Sequence, residues 1–120
     1  MTEQPDDTAR LVARLAEETP PFSSLGTPMP ADTELTDALV RRGPSAVPAL
    51  LDGLATGNTT IAMYSAYCLG LIGDATCIPA LLAASERYRT RERHEQSDYG
   101  VVGAAEEAVR RLSAAGDEHA

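Results

Sequence analysis

A chain of 120 residues, 43% of them hydrophobic, suffices for one domain with a modest core and is too apolar for wholesale disorder. Aromatics make up 4% and Trp is absent, so the core must come from Leu, Val, Ile and Ala, which suits close-packed helices better than a β-sandwich. The net charge of −8, with ten basic residues that are all Arg, argues against binding phosphate backbones, no stretch has the length of a membrane span, and the acidic N-terminus is unlike a signal peptide, so a cytoplasmic, reduced protein is expected.

Residues 1–6 are polar. Asp7 is placed to cap a helix running to about Glu18, with Leu11, Val12 and Leu15 on one face. Four prolines between Thr19 and Asp32 then forbid a helix and predict an extended connector, pinned to the surface by Phe22, Leu25 or Met29.

From Asp32 the pattern becomes regular. Asp32 or Thr33 caps a helix with Leu35, Ala38 and Leu39 inward, and Gly43 stops it. Ser45 is placed to cap the next, in which Val47, Leu50, Leu51 and Leu54 form one stripe. Gly57-Asn58 breaks that helix and Asn58 caps a third, with Ile61, Tyr64, Cys68, Leu69 and Ile72 on one face and a stripe of small residues, Ala62, Ala66, Gly70 and Gly73, on another. This third helix has almost no charged face, so it should be surrounded by protein. Gly73 ends it, Thr76 is placed to cap its successor with Ile78, Leu81 and Leu82, and that helix is expected to run on through Tyr88 into an Arg-rich stretch. A last helix begins near Ser97 or Asp98, carries Val101, Val102, Ala105, Ala108, Val109 and Leu112, and frays after Ala115.

An internal repeat runs through this pattern. Ser45-Ala46-Val47-Pro48-Ala49-Leu50-Leu51 matches Thr76-Cys77-Ile78-Pro79-Ala80-Leu81-Leu82 at an offset of 31, and Leu39 and Gly43 match Leu69 and Gly73 at an offset of 30. The unit is a helix, a Gly turn and a second helix with Pro in its first turn, where the missing N–H loses nothing.

These residues resemble the HEAT repeats, in particular the short bacterial HEAT-like repeats of the phycobilisome-lyase type. The resemblance rests on Ala38-Leu39-x-x-x-Gly43 followed by Ala46-Val47-Pro48-Ala49-Leu50-Leu51, on Ala66-x-x-Leu69-Gly70-x-Ile72-Gly73-Asp74 followed by Ile78-Pro79-Ala80-Leu81-Leu82, and on a degenerate Ala105-x-x-Ala108-Val109-x-x-Leu112. It implies an all-α fold: a short right-handed α-α superhelix, or HEAT-like solenoid, of about two and a half helical hairpins plus an N-terminal helix. On that reading residues 1–32 are a capping helix and Pro-rich connector, 33–115 the repeat domain and 116–120 a tail. The sequence departs from the family pattern in lacking the Arg usual near Ala62 or Met63, in an insertion at 86–97, and in a third repeat without its second helix.

HEAT-like repeats are scaffolds for many tasks, so the resemblance implies little about function. It favours a non-catalytic protein–protein interaction module, an adaptor, scaffold or neutralising partner, with a protein partner and no catalytic, metal or cofactor residue. Second helices line one face of such a stack, so the candidate partner-binding residues are Ala49, Asp52, Ala83, Arg87, Tyr88 and Arg91. The alternative is an accessory or lyase-like protein acting on a partner protein, as the phycobilisome-lyase-type relatives do. Nucleic-acid binding, as in HEAT-like DNA glycosylases, is opposed by the acidic charge and the absence of Lys and Trp. Self-association as a homo-oligomer stays open, with Val101–Val102 or the connector covering a neighbour's end.

Glu86 to Glu95 is the most distinctive polar stretch. Arg87, Tyr88 and Arg91 share a helical face that suits an acidic partner, against which stands a solvated helix with pairs such as Arg91–Glu95 and Arg89–Glu92. His94 and His119 lack partners for metal or nucleophilic chemistry, and Glu106-Glu107 is read as a solvated face. Cys68 reads as a core residue. Cys77, near a helix N-terminus, would have its pKa lowered there, or is simply a core-edge residue in place of Ala46. A Cys68–Cys77 disulfide has no positive support. Tyr64 and Tyr67 are expected inside the stack, and Tyr88 and Tyr99 to be more available.

Overall fold

The computed structural model describes residues 5–24, 26–91 and 96–118, with side-chain burial described over 7–24, 26–91 and 97–114. The described residues form an all-α fold: α1 (Pro5–Arg14), α2 (Glu34–Arg42), α3 (Val47–Leu54), α4 (Thr59–Ile72), α5 (Ile78–Arg89) and α6 (Gln96–Glu118), with no strand beyond an isolated bridge between Phe22 and Pro28.

Both copies of the repeat fold to the same local structure. Gly43 and Gly73 end α2 and α4 at φ +61° and +90°, a 3-10 turn follows at Gly43–Ala46 and Ala75–Cys77, and Pro48 and Pro79 sit in the first turn of α3 and α5. The 3-10 turns correct two expected caps. Ser45 lies inside the first turn, so its hydroxyl donates to the Arg42 carbonyl (2.8 Å) and no side chain caps α3. Thr76 lies inside the second, where the capping side chain is Asp74: its carboxylate accepts from the Thr76 amide (2.9 Å) and hydroxyl (2.6 Å). Asn58 caps α4 as expected, accepting from the Ile61 amide at 2.9 Å. Of the two candidates for α2, Thr33 is the cap, in a reciprocal box with Thr36. Asp7 lies within α1 rather than ahead of it.

α4 is the central element and packs against α1, α2, α3 and α6. Ala62 through Ala66 and Cys68 through Gly70 are all buried, as the uncharged pattern predicts. Its small-residue face meets α6: a Cβ built on Gly70 would lie 3.0 Å from both Cα and Cβ of Ala108. A second close approach gathers α1, α3 and α4 around Gly53, where a Cβ would lie 2.2 Å from Ser65 Oγ and 3.0 Å from Val12 Cγ1. Val12 and Leu15 thereby join the same buried cluster as the repeat helices, and the Arg42 guanidinium donates to Thr8 Oγ1 (3.0 Å) to tie α1 to α2.

The connector is anchored differently from expectation. Phe22 and Met29 are 70% and 52% exposed, and Leu25 lies outside the described residues. The anchor is Pro28, which is buried against α6 at Gly100, where an added Cβ would come within 2.7 Å of the Pro28 carbonyl oxygen and 2.6 Å of Met63 Cε. Ser23 N–H donates to the Thr27 carbonyl and Met29 N–H to the Pro21 carbonyl, both at 2.8 Å, so residues 21–29 form a small ribbon turning at Gly26, φ +82°.

Gly70→Val should destabilise the fold by about 2–3 kcal/mol, because its branched side chain must displace the α6 backbone rather than a flexible neighbour. Thermal denaturation followed by circular dichroism measures this, and an unchanged midpoint contradicts the close packing of α4 on α6.

Candidate functional site

A groove of about 580 Å³ opens between the ribbon, α4 and α6. Gly100, Gly103, Ala104 and Ala108 of α6 form its floor, and Pro28, Met29 and Pro30 its ribbon wall, with Tyr67 and Tyr99 beside them. Its polar edge carries Glu107, Arg110 and Arg111. Glu107 takes both arginines, bonded by the Arg110 guanidinium and with Arg111 Nε 3.5 Å away, and Arg110 holds the Glu107 carboxyl below the usual carboxylate range. The Tyr67 hydroxyl donates to Asp32, one of the two residues expected to cap α2. Burial, and then Asp32 as acceptor and as a negative charge, pushes the Tyr67 hydroxyl up to about 12.

Three of the five exposed large apolar side chains among the described residues, Phe22, Met29 and Tyr99, belong to the ribbon or the groove rim. Gly103 is the unusual residue of the floor. It lies inside a helix, where Gly disfavours the fold by roughly 1 kcal/mol relative to Ala. At Gly53, Gly70 and Gly100 a neighbouring atom would stand within about 3 Å of an added Cβ, whereas at Gly103 nothing lies within 4 Å.

The face expected to bind a partner is also formed, with changes. α3 and α5 adjoin, and a shallow recess of about 130 Å³ between them is lined by Leu51, Ala83 and Arg87 among others. Asp52, Ala83 and Arg87 are exposed and Ala49 is partly buried. Tyr88 and Arg91 do not belong to this surface. Tyr88 is 1% exposed, because it turns into the core when α5 packs on α6. α5 ends at Arg89 with Thr90 as C-cap, so Arg91 leaves the helix, stacks 4.9 Å from the Tyr88 ring centroid and pairs with the buried Asp98 carboxylate (2.8 Å). The expected docking pair is therefore an internal clasp joining the end of α5 to the start of α6.

Arg89 pairs with Glu86 (3.8 Å) and Glu106 (3.1 Å), all well exposed. The expected partners Glu92 and Glu95, together with His94 and His119, lie outside the described residues. Glu106 and Glu107 engage different arginines on an exposed face. Val101 and Val102 are buried and so are not available to cover a neighbour. Both cysteines are free and buried. Burial first, then Asp32 and Asp37, pushes the Cys68 thiol up to about 12. Burial and then Asp74 raise Cys77, against the lowering expected from a helix terminus: only a 3-10 turn precedes α5 there, and a carboxylate stands nearby.

The molecule thus defined is an all-α protein with an open apolar groove beside a proline-rich ribbon. Comparison of the chain with family models, curated proteins and solved structures gave no match. No helix among the described residues is long and apolar enough to cross a membrane.

Three outcomes follow from the site. Gly103→Ala should stabilise the protein by up to ~1 kcal/mol, read as a raised denaturation midpoint, since the new methyl meets no neighbour. Both thiols should resist iodoacetamide in the folded protein and react fully in denaturant, as mass spectrometry would show. The Tyr67 pKa is raised on folding from 10.0 to about 12, so the neutral hydroxyl's contribution to stability is full below pH 10 and is lost as pH rises toward 12. Asp32→Asn should lower the pH at which Tyr67 ionises, followed by ultraviolet absorbance, and narrow that window.

Proposed function

We propose that the chain is a non-catalytic protein-interaction module that docks a partner in the groove between the ribbon and α6. One observation carries this reading: exposed Met29 and Tyr99 line an apolar groove whose floor is open backbone at Gly103, with exposed Phe22 on the ribbon that walls it. Exposed apolar side chains are ordinary when scattered, but gathered at a concavity they mark an interaction surface. A glycine that no internal neighbour requires suits close approach of another chain to the helix backbone.

The HEAT-like reading of the fold supports this role. First helices of successive units adjoin (α2 with α4, α4 with α6), second helices adjoin (α3 with α5), and both units turn at a positive-φ Gly. A superhelix of about two and a half hairpins accounts for that order, with α1 closing one end against α3. The α3–α5 recess around Arg87 is then a secondary surface of the same module.

Tyr99 is 51% exposed on the groove rim, so a photoreactive benzoylphenylalanine is tolerated there. On irradiation in native lysate it should give discrete protein adducts, and Gly103→Trp, which fills the groove, should remove them. Absence of adducts, or adducts that persist in the filled groove, would falsify the docking role.

A further inference from the structure

We draw no further inference here: the strongest candidate, the apolar groove between the ribbon and α6 around Gly103, belongs to the docking site already described, and nothing in the structure shows what covers it.

Discussion

The close approach of α4 and α6 at Gly70 and Ala108 is the constraint on which the rest of the architecture depends. With no Trp and a single Phe, which is exposed, this chain makes its core from short aliphatic side chains. Such a core reaches organic-crystal density only if the backbones come close, because small side chains cannot fill a wide gap. Ala62, Ala66 and Gly70 on one side and Ala104, Ala105 and Ala108 on the other are all buried, which leaves the two helices separated by little more than their own backbones at Gly70. That contact fixes how the groove floor stands against Tyr67, since Tyr67 lies on α4 one turn before Gly70 and Gly103 lies on α6 between Gly100 and Ala108.

The same logic sorts the helix-internal glycines. Gly53 admits Ser65 and Val12, Gly70 admits Ala108, and Gly100 admits Pro28 and Met63. Each exchanges backbone freedom in the unfolded chain for an approach that no other residue allows. Gly100 in particular explains how a segment with four prolines and no regular structure is held against a helix: the Pro28 carbonyl and ring occupy the space a side chain would take. Gly103, on the same helix, has no internal occupant, so the packing of the fold does not require a glycine there.

Much of the fold was legible in the sequence because its signals are local. The stripe of Val47, Leu50 and Leu54, the Gly at the end of α2 and α4, and the Pro at the start of α3 and α5 each act within one or two turns of helix. Two of the caps, Ser45 and Thr76, were misplaced for an equally local reason: a 3-10 turn intervenes between Gly and helix, moving them off the cap position and handing the second turn to Asp74. The site was poorly legible because its contacts are distant. Tyr67 and Asp32 are 35 positions apart, and Pro28 meets Gly100 across 72 positions of chain. The burial of Tyr88 could not be read either, since the aromatic residue lies in a run of arginines whose composition suggests solvent, and it is the packing of α5 on α6 that takes it inward.

The arginines divide the surface into what steers and what holds. Arg91 is committed to Asp98, Arg89 to Glu86 and Glu106, and Arg110 and Arg111 to Glu107, so much of the positive charge is spent on joining α5 to α6 and on ordering one face of α6. The exposed pairs among these, all but Arg91–Asp98, contribute little to stability one by one. Their larger effect is to leave the remaining carboxylates of the amino-terminal third unbalanced, since residues 1–40 hold eight acids against two arginines. The long-range field is therefore negative and decides which molecules approach. At contact distance the uncharged ribbon and the glycine-floored groove take over, because apolar burial and backbone proximity act only there. On the proposed docking role, an acidic protein with a neutral, apolar face of this kind stays dispersed at long range and closes only on a surface that fits.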